Sequence, residues 1–587
     1  MKSKLRTTAV SALILTVLGM FILYLSISPK PSPEPQKRMA AQLEINKARF
    51  DPGETAAFSY QSGRRPKQRT AVIRYYHLDK QIDSQTIALK KGKTEWNWVP
   101  PTDDFKGYLA ETRIDGKRHT IAIDVSSDWS RFPRYGFLSD FSAQAGTQSS
   151  EIIKDLNRYH VNGLQFYDWH YKHHDPLKKA GGTMQDSWQD IAGRQVSAET
   201  LKRYIEQAQS HGMKTMAYNL LYGSFEDAGP DGVKDEWRVY KDPRHETQDL
   251  HPLPKEWQSD VYLLDSGNRE WQDYIIGRQN EVYSALPFDG WHIDQLGPRG
   301  EVYDYAGKQL QLEEGFDEFL HHAKSKAPEK SLVLNAVNQY GQKQTGTAPV
   351  DFMYTEVWDE YKEYGDLKRI IDENADYSGG KSTVLAAYMN YHLSKQQEGL
   401  FNTPGILLAN SVIFSAGGAH LELGEHMLSS EYFPHDNLQA DGGLKEKLTV
   451  YYDFLTAYQN LLRGSSMKET PLDIQSSPAV RNKPEKGSIW GFSKSSNERR
   501  MLHFINFTKA NSLEWRDTGG TQAEPGKLER FEMTIKESRP VRKIWAASPD
   551  SRKAAPVPVH FTQKDGEVKL TLPSLNYWTM AIFEFEQ

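Results

Sequence analysis

Eight apolar, strand-like runs separated by stretches of helical periodicity constrain this chain more than any other feature. They are RYGFLSDF (134–141), VNGLQFYDWHY (161–171), MKTMAYNLLYG (213–223), FDGWHIDQLG (288–297), LVLNAVN (332–338), DFMYTEVW (351–358), STVLAAYMNY (382–391) and VIFSAGGAHLELG (412–424). Between them, EIIKDLNRYH, AETLKRYIEQAQSHG and FDEFLHHAKSK set apolar residues at the helical period, and Gly212 closes the second as a C-cap. Eight β–α alternations in about 330 residues specify a (β/α)8 TIM barrel with long loops. The connection from the third to the fourth run is the longest, rich in Trp, Asp and His, and a loop of that length carries its own structure or a function.

The flanks differ in character. From about residue 40 the pattern is short, alternating and punctuated by turns (QLEINKARF, TAVIRYYHLD, KTEWNWVPP, KGYLAETRI, HTIAIDVS), which reads as a small immunoglobulin-like β-sandwich. After about residue 467, GSIWGFSKS, RRMLHFINFTK, RFEMTIKES and VKLTLPSLNYWTMAIFEF predict an all-β sandwich C-terminal to the barrel. The expected layout is therefore a leader and Pro-rich linker (1–39), an Ig-like sandwich (40–127), a catalytic barrel (128–466) and a C-terminal sandwich (467–587). In the leader, Lys2, Lys4 and Arg6 precede an uncharged apolar run at residues 9–27. Such a segment is an export signal, either a cleaved signal peptide or a signal-anchor that keeps the body on the outer face of the membrane.

The net charge of −5 leaves no basic face for nucleic acid, so an uncharged substrate fits better. Without cysteine there is no disulfide, thiol nucleophile or Cys-ligated metal. No Walker loop, no GxGxxG after a strand and no GxSxG elbow is present, so the nucleotide, dinucleotide and serine-hydrolase readings lack their minimum parts and no cofactor is expected.

Reactive groups of a barrel stand where strands end. The fourth run ends in Trp291-His292-Ile293-Asp294 and the sixth in Tyr354-Thr355-Glu356-Val357-Trp358. Two carboxylates on nearby strand ends suit glycoside hydrolysis, one attacking or stabilising the anomeric carbon while the other protonates the leaving oxygen. The apolar neighbours of Glu356 would raise its pKa into a donor's range, and the polar neighbours His292 and Gln295 would help keep Asp294 ionised. Ordinary strand-end acids in caps or salt bridges are the alternative.

The second run ends in the densest polar-aromatic cluster, FYDWHYKHHDPL. Asp168 can clamp sugar hydroxyls there, Trp169 or Tyr171 can stack on a ring, and His170 stands beside them. Tyr218, Asn219, His292, Trp358 and Tyr388 are further candidates for lining the cleft. A metal held by His170 and His174 would need a helix, which Pro176 opposes, and no metal site is expected.

The segments PRYGFLSDF, GLQFYDWHYKHHDPL, DGWHIDQLG and YTEVWD resemble the catalytic blocks of glycoside hydrolase family 66, which holds endo-dextranases and cycloisomaltooligosaccharide glucanotransferases. The resemblance spans the barrel. It implies retaining cleavage of internal α-1,6 bonds of dextran, with Asp294 as nucleophile, Glu356 as acid/base and Asp168 as an essential partner in the substrate subsite. The 62-residue spacing of the pair (356 − 294) is tighter than the family suggests, which keeps Asp359 and Glu360 as alternatives to Glu356. Family members making cyclic products carry an extra carbohydrate-binding module late in the barrel. The short stretch between Tyr388 and the eighth run leaves no room for one, which favours a hydrolase over the cyclising transferase; against a non-catalytic glucan-binding barrel counts the presence of both acids in intact motifs.

Overall fold

The computed structural model describes residues 43–62, 65–464 and 467–586. The apolar run at 9–27 lies outside the described residues, and among those described no helix is long and apolar enough to cross a membrane.

Eight parallel strands form the central sheet: β1 (Tyr135–Leu138), β2 (Gly163–Phe166), β3 (Lys214–Leu220), β4 (Gly290–Asp294), β5 (Ser331–Val337), β6 (Met353–Glu356), β7 (Thr383–Ala386) and β8 (Gly418–His420). Each pairs with its neighbour in sequence order. The barrel is nearly closed, because the Phe137 N–H donates to the Leu423 carbonyl just beyond β8, at 3.0 Å.

Helices α1 (Ser149–Arg158), α2 (Ala198–Ser210), α3 (Arg269–Ala285) and α4 (Glu314–Lys326) follow β1 to β4, while α5 (Tyr364–Ser378), α6 (Thr403–Ala416) and α7 (Gly442–Ala457) follow β6 to β8. Local chemistry sets their ends. The Ser197 side chain accepts the Thr200 N–H at the start of α2, Asn268 caps α3, and Gly212 takes a positive φ just after α2 as expected.

Two expectations need correction. The eighth run, placed at 412–424, is half helix: residues up to Ala416 finish α6, Gly417 turns the chain in the left-handed region (φ 101°), and the strand is only Gly418–His420. From Gly405 to Ala416 every residue of α6 is buried, so the amphipathic stripe that marks a surface helix is missing and the run reads like a buried strand. The alternation also skips once. Residues 338–352 between β5 and β6 hold turns and no α-helix, because NQYGQKQTGTAP offers no apolar stripe to pack.

The long connection after β3 carries its own structure. Gly223–Ser224, Val261–Leu263 and Leu250–His251 make a small antiparallel sheet over a core of Leu221, Tyr222, Val233 and Trp237. Residues 43–125 form two antiparallel sheets, of three and four strands, that meet through Tyr75 stacked on Trp98 at 4.1 Å. Residues 468–585 form two more sheets, antiparallel except where Val480–Arg481 runs parallel to Ile489–Trp490, sharing a core that includes Phe504, Phe583, Phe531 and Leu572. Arg134, at the foot of β1, ties the first pair to the barrel by a buried ion pair with Asp124 at 2.6 Å.

Candidate active site

Alternation along β4 decides which side chains face the barrel interior. Trp291 points out and packs on Phe319 of α4, whereas His292 points in, lying between Tyr135 and Tyr218 with its edge on Tyr354. Two residues on, Asp294 faces in again at the strand's C-terminal end. On β5 and β6 the same phase brings Asn335 and Glu356 inward at that end, while Tyr218 of β3 closes the other side.

A bonded group results. The Asn335 amide nitrogen donates to Asp294 Oδ1 at 2.7 Å and to Glu356 Oε2 at 3.0 Å. Asp294 also receives the Tyr218 hydroxyl on Oδ2 and the Gln295 backbone N–H on Oδ1, both at 2.8 Å. Glu356 receives the Tyr388 hydroxyl on Oε1 at 2.7 Å. The backbone around Glu356 is held by Asn338, whose N–H donates to the Glu356 carbonyl at 2.8 Å and whose Oδ1 accepts the Trp358 N–H at 3.2 Å. Asn338 does this from the left-handed region (φ 52°), a conformation Asn tolerates better than most residues.

Burial raises the pKa of both acids. Glu356 is pushed to about 7, by desolvation first and by the nearby Asp294 charge second, with the Asn335 and Tyr388 hydrogen bonds pulling back. Three donors stabilise charge on Asp294 against two on Glu356. The Asp294 charge thus favours the protonated form of Glu356, a division that an acid and a nucleophile would need.

The other sequence candidates separate into two groups. Asp168 stands at the end of β2 with φ 48°, buried, its pKa raised to about 7 by desolvation and lowered in part by Arg194. The charge of Asp294 lies near enough to raise that pKa a little further. Trp358 is half-buried at the rim, 5.5 Å from Tyr388 and edge-on to Tyr391 at 5.9 Å. Tyr218 and Tyr388 line the site by holding the acids.

The remaining candidates face the protein. Trp169 is fully buried, its indole donating to the Tyr218 carbonyl and its ring packed on Phe288 and Trp188, so it stacks on core and leaves no face for a sugar. His170 is buried against His173. Asn219 spends its amide on His173, its Oδ1 accepting from Nδ1–H at 2.9 Å and its Nδ2 donating to the carbonyl at 2.8 Å. His292 is buried beneath the acids, held uncharged with a pKa lowered to about 3 by desolvation, and bonded to the Tyr135 hydroxyl at 3.2 Å. Tyr171 is half-buried beneath the Lys172 and Lys178 ammonium groups, at 5.6 and 5.1 Å. Strand-end location alone could not make these distinctions, because the turn after β2 folds its aromatics back into the barrel wall. Asp359 and Glu360 are exposed beyond β6, and Glu356 is the acid that meets Asp294.

Among the described residues, His174, Asp227 and Asp231 form the group with metal-ligand spacing, and Lys172 Nζ already bonds both aspartates. His170 does not join His174 in it. Sequence reasoning missed Asn335 and Arg194. Asn335 had a signal, being a polar residue in the inward phase of LVLNAVN; Arg194, 2.7 Å from Asp190 and near Asp168, had none.

Known proteins are similar to this chain in sequence and in fold. The sequence profile of glycosyl hydrolase family 66 matches residues 45–582. A cycloisomaltooligosaccharide glucanotransferase of Niallia circulans is 27% identical, over 92% of this chain and 72% of its own length. A dextranase of Streptococcus salivarius is 24% identical, over 81% and 67%. The crystal structure of a Paenibacillus sp. cycloisomaltooligosaccharide glucanotransferase complexed with cycloisomaltoheptaose superposes with a TM-score of 0.86, covering 93% of this chain and 99% of that one at 26% identity. With a paired carboxylate site at the mouth of its barrel and a profile match across nearly the whole chain, this protein is a glycoside hydrolase belonging to family 66.

Proposed function

We propose that this enzyme cleaves internal α-1,6-glucosidic bonds of dextran with retention of configuration. The observation that carries the proposal is the single Asn335 amide shared by the two acids. Their nearest oxygens can be no further apart than those two bonds end to end, about 5.7 Å, which suits the roughly 5–5.5 Å carboxyl separation of retaining enzymes better than the wider gap that holds a water in inverting ones. Asp294 attacks C1 of the glucosyl unit while the Glu356 proton passes to the departing O6, leaving a glycosyl-enzyme and a shortened chain. Glu356, now a carboxylate, takes a proton from water, whose oxygen attacks C1 and restores Asp294. Asp168 binds hydroxyls of the unit being cleaved, and Trp358 offers a ring face at the rim.

A second reading is favoured by the similarity to the two glucanotransferases. In it, a sugar hydroxyl of the same chain replaces water in the second step and a cyclic product forms. Hydrolysis is preferred because only residues 387–417 separate β7 from β8, which leaves no place there for an inserted carbohydrate-binding module. We read residues 40–127 and 467–587 as modules flanking the catalytic barrel, and the leader as an export signal, since a polysaccharide must be met outside the cell.

Incubation of the ectodomain with dextran, reading reducing ends and chromatographing the products, tests both readings. Reducing ends rising with linear isomaltooligosaccharides are expected. Cyclic products without new reducing ends would replace hydrolysis by transfer, and no product at all would refute catalysis on dextran.

A further inference from the structure

We propose that Arg516, on a loop of the C-terminal β region, is a positioning residue for the acid/base Glu356. The inference rests on that assignment of Glu356 and deepens it. The loop joins the strands Arg499–Asn506 and Leu528–Lys536, which belong to the two different C-terminal sheets, and on the way it docks on the mouth of the barrel.

Its anchoring is dense. The Tyr364 N–H donates to the Leu513 carbonyl, the Trp515 N–H to that of Lys362, the Asn390 N–H to that of Arg516 and the Leu393 N–H to that of Thr518, at 2.9 to 3.2 Å. The Asn402 side chain donates to Asp517 Oδ2 at 2.7 Å. Gly405 near the start of α6 makes room for that carboxylate, since a Cβ there would stand 2.3 Å from it.

These bonds would suffice to hold the loop. Arg516 does something more specific. Its Nη2 donates to the Val357 carbonyl at 2.9 Å and its Nη1 to the Tyr388 carbonyl at 3.2 Å. Val357 adjoins Glu356 in the chain, and Tyr388 gives Glu356 its hydroxyl bond. One buried, planar cation thus joins the backbone beside the acid on β6 to the backbone of the acid's hydrogen-bond donor beyond β7. The same guanidinium lies 5.4 Å from the Trp358 ring, 5.3 Å from Tyr391 and 4.6 Å from Trp515, so rings pack around it and limit its rotamers. Two carbonyls at fixed separation match the fork of an arginine, and a lysine's single ammonium cannot span them in the same way.

The consequence is selective. Misplacing Glu356 by a fraction of an ångström weakens proton delivery to O6, while attack by Asp294, held by Tyr218, Gln295 and Asn335, stays in register. A leaving group that departs without a proton is therefore insensitive to Arg516.

The test compares kcat/KM, which reports formation of the glycosyl-enzyme, for dextran and for α-isomaltosyl fluoride in Arg516→Lys and Arg516→Met. Expected is a loss of roughly 100-fold on dextran with the fluoride rate within a few-fold of wild type, and a smaller dextran loss for Lys than for Met. Equal losses on both substrates, or no loss on either, overturn the proposal. Thermal melting and circular dichroism accompany both variants. If Met unfolds the loop, the Lys variant, which keeps the stem and charge, carries the comparison by itself. A wild-type enzyme without activity on dextran would be a failure of the functional reading and is distinguishable at the first measurement.

Discussion

Replacing Tyr388 by phenylalanine probes the division of labour between the two acids most directly. The hydroxyl donates to Glu356 Oε1 at 2.7 Å and so favours the charged form of that carboxyl. The ring is buried and rests against Trp358, and phenylalanine preserves that packing. A hydrogen bond to an ionised group contributes about 1.5–3 kcal/mol, and at 1.36 kcal/mol per pKa unit its loss corresponds to a rise of about 1–2 units. The sign follows from the charge: with less stabilisation of the carboxylate, the proton is held to higher pH. Glu356, at about 7 in the wild type, would then titrate about 1–2 units higher in the variant. The form active in the first step has Glu356 protonated, so the alkaline limb of kcat/KM against pH should move up with it. Reducing ends released from dextran between acid and alkaline pH give the profile. An alkaline limb that stays where it is, or moves down, would refute the assignment of the proton to Glu356.

Three further expectations follow from the same geometry. Asp294→Asn and Glu356→Gln should each lose nearly all hydrolysis of dextran, and a wild-type rate in either removes that residue from the mechanism. Asn335→Ala strips one donor from both acids and should lower kcat/KM by about 10- to 100-fold, the scale of a charge-assisted hydrogen bond, without a matching fall in melting temperature. Asp124→Ala leaves the buried Arg134 guanidinium unpaired and frees Gln459 and Ser126, which also bond that carboxylate. It should cost about 3–5 kcal/mol in denaturant unfolding, and a loss under 1 kcal/mol would mean that water or another acceptor replaces the pair.

How much of this could be read from residues alone varied with distance along the chain. Of the first seven barrel strands, six lie wholly inside the runs expected from apolar pattern and β5 overhangs its run by one residue at Ser331, because period and turn chemistry are local properties. The eighth failed where a helix is buried on every side, since burial removes the polar face that distinguishes the two periods. The missing helix between β5 and β6 was hidden by the regularity of the rest. Asp294 and Glu356 could be singled out because a strand end and its phase put them at the mouth. Trp169, His170 and Asn219 were placed at the same mouth by the same logic; the turn after β2 that folds Trp169 and His170 inward, and the His173 it brings against Asn219 on β3, lie beyond what alternation encodes.

The sequence by itself determined the β/α alternation, the turns and caps that end its elements, and the pair of strand-end carboxylates with the blocks that mark their family. Only the tertiary structure decided how those acids differ. Asn335 shares one amide between them, Tyr388 and Tyr218 each hold one, and Arg516 reaches Val357 across 159 residues of sequence to fix the wall behind Glu356. The physical reason is that a pKa and a proton's aim depend on desolvation and on donors within about 3 Å, and the chain brings those together only by closing the barrel and laying a distant loop across its mouth.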